Sequence, residues 1–194
     1  MEMDVRPVTL QGRHVRLEPL SLAHLDPLAE VGLDADLWRW TLAQLGSKDD
    51  VRRYIEAALT LQQGGTALPF AILSGDRVVG STRYHNIDRA NRRLEIGWTW
   101  VAKDWQRTPV NTEAKYLLLE HAFESLWCVR VEFKTDVLNE QSRRALLRIG
   151  ATEEGTLRRH MLTETGRWRD SVYYSILDSE WPAVKQRLEE KLAQ

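Results

Sequence analysis

Cysteine is nearly absent. Cys128 stands alone, so neither a disulfide framework nor a cysteine-based metal site can form within one chain. No run of about eighteen apolar residues occurs, and residues 1–16 mix polar and apolar side chains with no small-residue cleavage pattern behind a hydrophobic core; membrane spans and a secretory leader are therefore not expected. A reducing, cytoplasmic setting is the expectation. An excess of one charge is also missing: 27 Lys and Arg face 28 Asp and Glu, a formal charge of -1. That removes the strong field a general nucleic-acid or anionic-membrane binder carries. The five histidines show no metal-ligand spacing, and no Gly-x-Ser-x-Gly, Walker or Gly-x-Gly-x-x-Gly pattern occurs, which sets aside metal, serine-hydrolase and nucleotide-triphosphate chemistry. With no Pro-, Gly- or Ser-rich linker and no internal repeat, residues 1–194 are expected to pack as one domain around a shared core.

What is present is a clear order of elements. His14–Glu18 alternates like a short strand, and Ser21 opens an amphipathic helix through Leu22, Leu25, Leu28 and Ala29. A second helix runs from Ser47 to Gln63 and stops at Gly64-Gly65. Three strands follow, Leu68–Leu73, Val78–His85 and Leu94–Val101, the first two joined by the turn Ser74–Arg77. Between Val110 and Leu126, Val110, Ala114, Leu117, Leu118, His121, Ala122 and Leu126 form one helical stripe, with Glu113, Lys115, Glu120 and Glu124 expected to face out. Val129, Val131, Phe133 and Thr135 alternate as a strand reaching Asp136. A short helix, Glu140–Ile149, ends at Gly150. Strands Glu154–Met161 and Trp168–Leu177 flank the turn Thr165–Arg167, and an amphipathic helix follows Asp178. The order predicts an α+β fold with a mixed sheet and helices on both faces, not a Rossmann repeat.

Three segments carry residues suited to chemistry. At the junction Trp105–Thr112, a helix N-terminus offers unpaired N–H groups and a positive dipole end to a diphosphate, with Arg107 adding charge. The same residues also make a plain cap, Thr108 followed by Pro109. In Asn139–Ser142, Ser142 shares a helical face with Leu146 and Ile149, so its hydroxyl points to the core or a cleft; a bond back to its own helix, with Asn139 as N-cap, is the alternative. In Arg93–Trp100, period two sends Leu94, Ile96, Trp98 and Trp100 one way and Glu95, Gly97 and Thr99 the other. Glu95 then faces solvent, the commoner fate of Glu, or a cleft, where desolvation would raise its pKa and suit it to accept a proton from an amine. Arg158, Arg159, His160, Arg167 and Arg169 cluster on the closing hairpin, expected as a solvated face balanced by Glu164 and Asp170.

Taken together, Leu94-Glu-Ile-Gly97, Gln106-Arg-Thr-Pro-Val-Asn-Thr-Glu-Ala114, Asn139-x-x-Ser142 with Leu146 and Ile149-Gly150, Glu154–Arg158 and Arg169–Ser175 resemble the GNAT superfamily of N-acetyltransferases, in its RimJ/RimL-like branch. The resemblance covers nearly the whole chain. It implies a mostly antiparallel sheet with splayed central strands, and acetyl-CoA as cosubstrate with no metal. The pantetheine arm would lie beside Trp98, Thr99 and Trp100. The diphosphate would rest on Gln106, Arg107, Thr108, Val110, Asn111 and Thr112, and Asn139 would touch the arm. Pro109 and Asn111 depart from the family's small residues there, and Pro109 has no N–H to donate. Position 146, often a thiolate-protonating Tyr, is Leu, which leaves Ser142 as the candidate donor to sulfur. Glu95 resembles the position that serves as base in several relatives.

The implied reaction is direct acetyl transfer in a ternary complex to a primary amine, either a protein N-terminus or a small molecule. Residues 21–63, with Trp38 and Trp40, are expected to form one wall of the acceptor cleft. A non-catalytic acyl-CoA sensor, an enzyme using a longer acyl-CoA and a nucleic-acid-associated factor using the basic hairpin are the rival readings. A homodimer is expected from the family and from eight tryptophans.

Overall fold

The computed structural model describes residues 3–194. Its strands are β1 (Leu10–Gln11), β2 (Arg16–Pro19), β3 (Leu68–Ser74), β4 (Arg77–Asp88), β5 (Arg93–Val101), β6 (Arg130–Asp136), β7 (Thr152–Leu162) and β8 (Trp168–Leu177). Its helices are α1 (Leu25–Gly32), α2 (Lys48–Gln63), α3 (Pro109–Glu120), α4 (Glu140–Ile149) and α5 (Trp181–Leu192). All eight strands form one sheet in the order β1-β2-β3-β4-β5-β6-β8-β7. Among the described residues β5 and β6 are the only parallel pair. The expected α+β architecture is present. Two details differ: β1 precedes the first expected strand, and Ser21 caps a 3-10 turn (Leu22–His24) ahead of α1.

Alternation along the strands divides the apolar residues into two cores. Phe70 and Ile72 of β3, Val131 and Phe133 of β6, and Val172, Tyr174 and Ile176 of β8 pack with α3, α4 and α5. On the opposite face Ala71 and Leu73 pack with Leu25 and Leu28 of α1 and with Val51, Tyr54, Ile55 and Ala58 of α2. Helix α2 follows the expected pattern, with Ser47 accepting from Asp50 N and the chain turning at Gly64. The stripe of α3 is also as expected, but the helix is regular only to Glu120 and continues as a π turn over His121–Ser125.

Glu113 and Lys115 correct the expected outward face of α3. Both are buried, at 5% and 8% exposure. The Glu113 carboxylate accepts the backbone N–H groups of Arg13 (3.0 Å), His14 (2.6 Å) and Val15 (2.7 Å), so it caps the turn between β1 and β2 instead of meeting solvent. A side chain at Gly12 would collide with it, since an added Cβ would sit 2.6 Å from Glu113 Cδ. The Lys115 ammonium donates to Asn111 Oδ1 at 2.7 Å. Burial, aided by nearby Arg148, lowers its pKa to about 8. Period 3.6 alone assigned these residues outward, because a chain segment that needs acceptors is invisible to it.

Each buried N–H left without an acceptor costs about 1–3 kcal/mol. Glu113→Ala is therefore expected to lower unfolding free energy by about 2–4 kcal/mol, with Glu113→Gln losing less because its carbonyl still accepts. Urea unfolding of the two variants checks this; equal midpoints for Glu113→Ala and wild type would refute the capping role.

Candidate active site

The site begins where the sheet fails to close. β5 pairs with β6 at Arg93–Arg130, Leu94–Val131 and Glu95–Glu132 and no further. Beyond Glu95, β5 stays on β4 up to Val101, while β6 stays on β8 up to Asp136. The two strands form a fork whose facing edges lack strand partners.

A bulge shapes one prong. Gly97 pairs with Arg83 and Trp100 with Ser81, so β5 spends one more residue than β4 across this stretch. Trp98 takes a left-handed backbone at φ 54. The extra residue reverses the facing of all that follows. Leu94 and Ile96 pack in the α3 core, but Trp98 and Trp100 pack in the α2 core, Trp100 against Trp38 at 5.2 Å. The expectation that these four side chains share a face is thus corrected. Thr99 now faces the other way and bonds Thr82 through its hydroxyl at 2.8 Å.

Glu95 sits at the base of the fork and is 2% exposed, so the solvent reading falls. Asn86 donates to its Oε2 at 2.9 Å, and Lys134 lies 3.6 Å from the same oxygen. Oε1 lies beside Gly97, where an added Cβ would approach to 3.1 Å, and it has no hydrogen-bond partner among the described residues. Desolvation raises the Glu95 pKa despite the opposing pull of Lys134 and Asn86, and Glu132 adds to the rise. The arrangement is a buried carboxylate with one free oxygen and a raised proton affinity, suited to accept a proton at neutral pH.

At the wide end of the fork lies the start of α3. Gln106 donates to Val101 O at 3.1 Å, Arg107 is exposed with φ 60, and Thr108 donates to Trp105 O at 2.7 Å and accepts from Val110 N at 3.4 Å. Pro109 fills the first helical position and Val110 points into the core. Asn111 and Thr112 are half-buried, and the Asn111 side chain is engaged by Lys115. The cap reading of Thr108 and Pro109 is correct, and it coexists with a helix N-terminus at the fork's mouth. Helix α4 follows the other prong. Asn139 accepts from Ser142 N at 3.1 Å, as an N-cap does. Ser142 is half-buried above buried Leu146 and Ile149, and among the described residues its hydroxyl makes no bond back to the helix.

The fork is bridged on the α2 side. In the α1–α2 connection, Leu42 O accepts from Glu164 N (3.1 Å) and Gln44 N donates to Glu164 Oε2 (2.7 Å), which joins it to the β7–β8 turn. Arg167 lies over the Trp40 ring at 5.7 Å and pairs with fully buried Asp136 at the end of β6. Of the two tryptophans in residues 21–63 expected near the acceptor, Trp40 is half-buried under Arg167, whereas Trp38 is buried in the α2 core at 2% exposure. The hairpin's basic cluster is also corrected: Arg169 is 5% exposed and Arg167 is ion-paired to the end of β6, while Arg158 and Arg159 are the solvated members.

Sequence reasoning missed the residues that share the Glu95 face: Arg83 and His85 of β4, Lys134 of β6 and Tyr173 of β8. His85 is opposite Glu95 in register. Lys134 lies 5.7 Å from the Tyr173 ring, which His160 meets edge-on at 5.8 Å. The signal was present in β6, where Arg130, Glu132 and Lys134 alternate with apolar residues, but a polar face next to a cleft and one next to water have the same pattern.

Residues 14–152 match the profile of the Acetyltransferase (GNAT) domain. YdaF of Bacillus subtilis (strain 168), provisionally named a ribosomal N-acetyltransferase, is 39% identical over 114 residues, 59% of this chain and 61% of that protein. The alignment therefore spans under two thirds of that relative. A crystal structure from T. thermophilus, provisionally described as an acetyltransferase, superposes with a TM-score of 0.90 at 41% identity, covering 98% of this chain and 100% of that one. Mycobacterium smegmatis RimJ, solved in complex with CoA-disulfide, shares the fold at a TM-score of 0.84 and 24% identity, covering 95% of each chain.

Burial, with Lys134 and Arg83 nearby, lowers the His85 pKa to about 4. A folded value below the unfolded one means the unfolded chain binds the proton first, so His85's contribution to stability is complete above about pH 6.5 and is lost as pH falls toward 4. Proton NMR should show the His85 ring neutral at pH 6, and His85→Gln should flatten the acid limb of the stability profile in that window. A ring that titrates near 6.5 would contradict the burial.

Proposed function

Because this chain belongs to the GNAT acetyltransferases, we propose that it moves an acetyl group from acetyl-CoA to a primary amine in a ternary complex, in the manner of the RimJ/RimL-like branch. The observation that carries this is the fork, with buried Glu95 at its base and the N-terminus of α3 at its mouth. Two facing strand edges without partners suit the amide-bearing pantetheine arm, which can bond them as a strand would. First-turn N–H groups of α3 suit a diphosphate, with Arg107 adding charge from the exposed approach and Gln106, Thr108, Val110, Asn111 and Thr112 forming the cradle. Pro109 withholds one N–H, but as the first helical residue it fixes the turn that presents the rest.

In the reaction we assign, the amine nitrogen bonds to the thioester carbonyl carbon and its proton passes to Glu95 Oε1, directly or through one water. The backbone around Trp98, Thr99 and Trp100 holds the developing oxyanion. The carbon–sulfur bond then breaks and the thiolate leaves, taking a proton from the Ser142 hydroxyl or from water, and the proton held on Glu95 returns through solvent to the group that gave it. Asn139 holds the start of α4 so that Ser142 faces the fork. Burial of Glu95 supports its role as base, since a carboxyl with a raised pKa is a stronger proton acceptor than an exposed one.

We further take residues 1–194 to act as one unit in a reducing, cytoplasmic setting. Among the described residues no helix is long and apolar enough to cross a membrane and no group of side chains fits a metal ion. The buried Cys128 thiol, pushed up to about 12 by desolvation, is unreactive there. We also assign a homodimer through the β7 end of the sheet, where Leu157 (48%), Leu162 (56%) and Trp168 (56%) are exposed beside an unpaired strand edge.

Glu95→Gln is expected to lower kcat by about a hundredfold or more while acetyl-CoA affinity by calorimetry is retained. Wild-type rate should fall on the acid side with a midpoint above 4.5, the ordinary glutamate value. Near-native turnover by Glu95→Gln ends its assignment as base, and failure of wild type to bind acetyl-CoA ends the proposed reaction. For the dimer, light scattering should report twice the chain mass, shifted toward one chain by Leu162→Glu with Trp168→Glu; a monomeric wild type refutes it.

A further inference from the structure

Arg83 is 2% exposed, yet among the described residues no carboxylate lies within ion-pair distance of it and its Nε has no hydrogen-bond partner. Its guanidinium lies against two neighbouring rings, 4.6 Å from Trp98 and 5.0 Å from Tyr54, whose centroids are 6.3 Å apart. Stacking on aromatic faces offsets part of the cost of burying the charge but satisfies none of the in-plane N–H donors. A buried cation without a counter-charge is otherwise avoided in folded proteins.

Its neighbours deepen the anomaly. Arg83 and His85 are two residues apart on β4 and share the face that carries Glu95, with Arg83 opposite Gly97 and His85 opposite Glu95. His85 Nδ1 and His160 Nδ1 are also buried without partners. The acids on this face are already engaged, Glu95 by Lys134, Glu132 by Arg93 and Arg130, and Asp136 by Arg167. The strip from Arg83 through Lys134 to Arg169 thus has more cationic groups than its own acids neutralise.

We propose that Arg83 anchors a carboxylate of the acceptor, so that the enzyme's amine substrate is an anion. With both rings to one side of the guanidinium and Nε buried, the Nη1–Nη2 end is the edge left to meet a planar carboxylate through two parallel N–H···O bonds. Arg83 lies two positions along β4 from His85, the residue opposite Glu95, a distance of about 7 Å. That spacing suits an amine whose carboxylate is a peptide unit away, as in a dipeptide. The assignment rests on the proposed acyl transfer and names the class of its acceptor.

The test compares glycylglycine with glycylglycinamide as acceptors, using acetyl-CoA and the full chain. Wild type should favour the acid by about tenfold or more in kcat/KM, the scale of a charge-assisted bidentate contact. The acid-to-amide ratio should collapse toward one in Arg83→Met and lie between in Arg83→Lys, which keeps the charge but loses the fork. Circular dichroism of each variant establishes that it is folded. Equal rates on acid and amide in wild type overturn the carboxylate site while leaving acetyl transfer intact, whereas no acetyl-CoA binding sinks the reaction itself. An Arg83-dependent preference for succinyl-CoA over acetyl-CoA on the amide would place the carboxylate on the acyl chain and overturn the acceptor assignment. Calorimetry with N-acetylglycylglycine reads the same site without turnover: binding lost in Arg83→Met supports it, and equal binding or none in wild type overturns it.

Discussion

A β-strand has two edges, and β5 gives both to protein only as far as Glu95. Past that residue it stays with β4, β6 stays with β8, and the hydrogen bonds that would have joined them are forgone. Unpaired backbone inside a fold is costly unless water or a ligand meets it. The fork can persist because each prong is secured elsewhere. Along β4 the backbone of β5 approaches so closely that an added Cβ at Gly80 would lie 2.1 Å from Trp100 O, a contact only glycine permits. On the other side β6 is zipped to β8 over its whole length.

The bulge at Trp98 turns this gap into a site. Without it Trp100 would share the α3 core with Leu94 and Ile96, and the α2 core would lose the ring that packs on Trp38 and on Gly32. With it, one strand serves both cores in succession, and the left-handed residue falls where the strands part. Non-glycine residues in that backbone region store strain that the surroundings must hold. Here the Arg83 guanidinium over the Trp98 ring, and Tyr54 packed 6.3 Å from that ring, supply the constraint. Packing, backbone geometry and the environment of Glu95 are therefore set by the same few residues.

Much of this was legible in the sequence. Hydrophobic periodicity located every helix and nearly every strand, because burial on one side is written directly into residue spacing. The cap at Thr108 and Pro109 was legible for the same local reason. The bulge was not, since an extra residue in β5 is defined only by its partner in β4. Nor was the depth of Glu113, whose three acceptor bonds go to residues almost a hundred positions earlier. Glu95 could be assigned a face but not a burial, and Arg83, inside the run Val78–His85, had no local feature to mark its missing counter-charge. Local rules see spacing; they do not see which neighbours a side chain finds across a sheet.

Electrostatics link the two ends of the acceptor face. Lys134 and Asn86 pull the Glu95 pKa down, and burial pushes it up by more. The balance leaves a carboxylate that can still hold a proton, inside a strip whose fixed charges are mostly positive. Such a strip repels an ammonium ion and tolerates the neutral amine, the form whose lone pair can attack a thioester. It also compensates the negative charge that develops on the carbonyl oxygen and then on sulfur. An acceptor with its own carboxylate is the substrate for which this field attracts instead of repels: the anion draws the molecule in, while the cations beside Glu95 favour deprotonation of its amine. Nucleophile formation and substrate choice then follow from one charge distribution, built from β4, β5, β6 and β8 on the face that the fork opens.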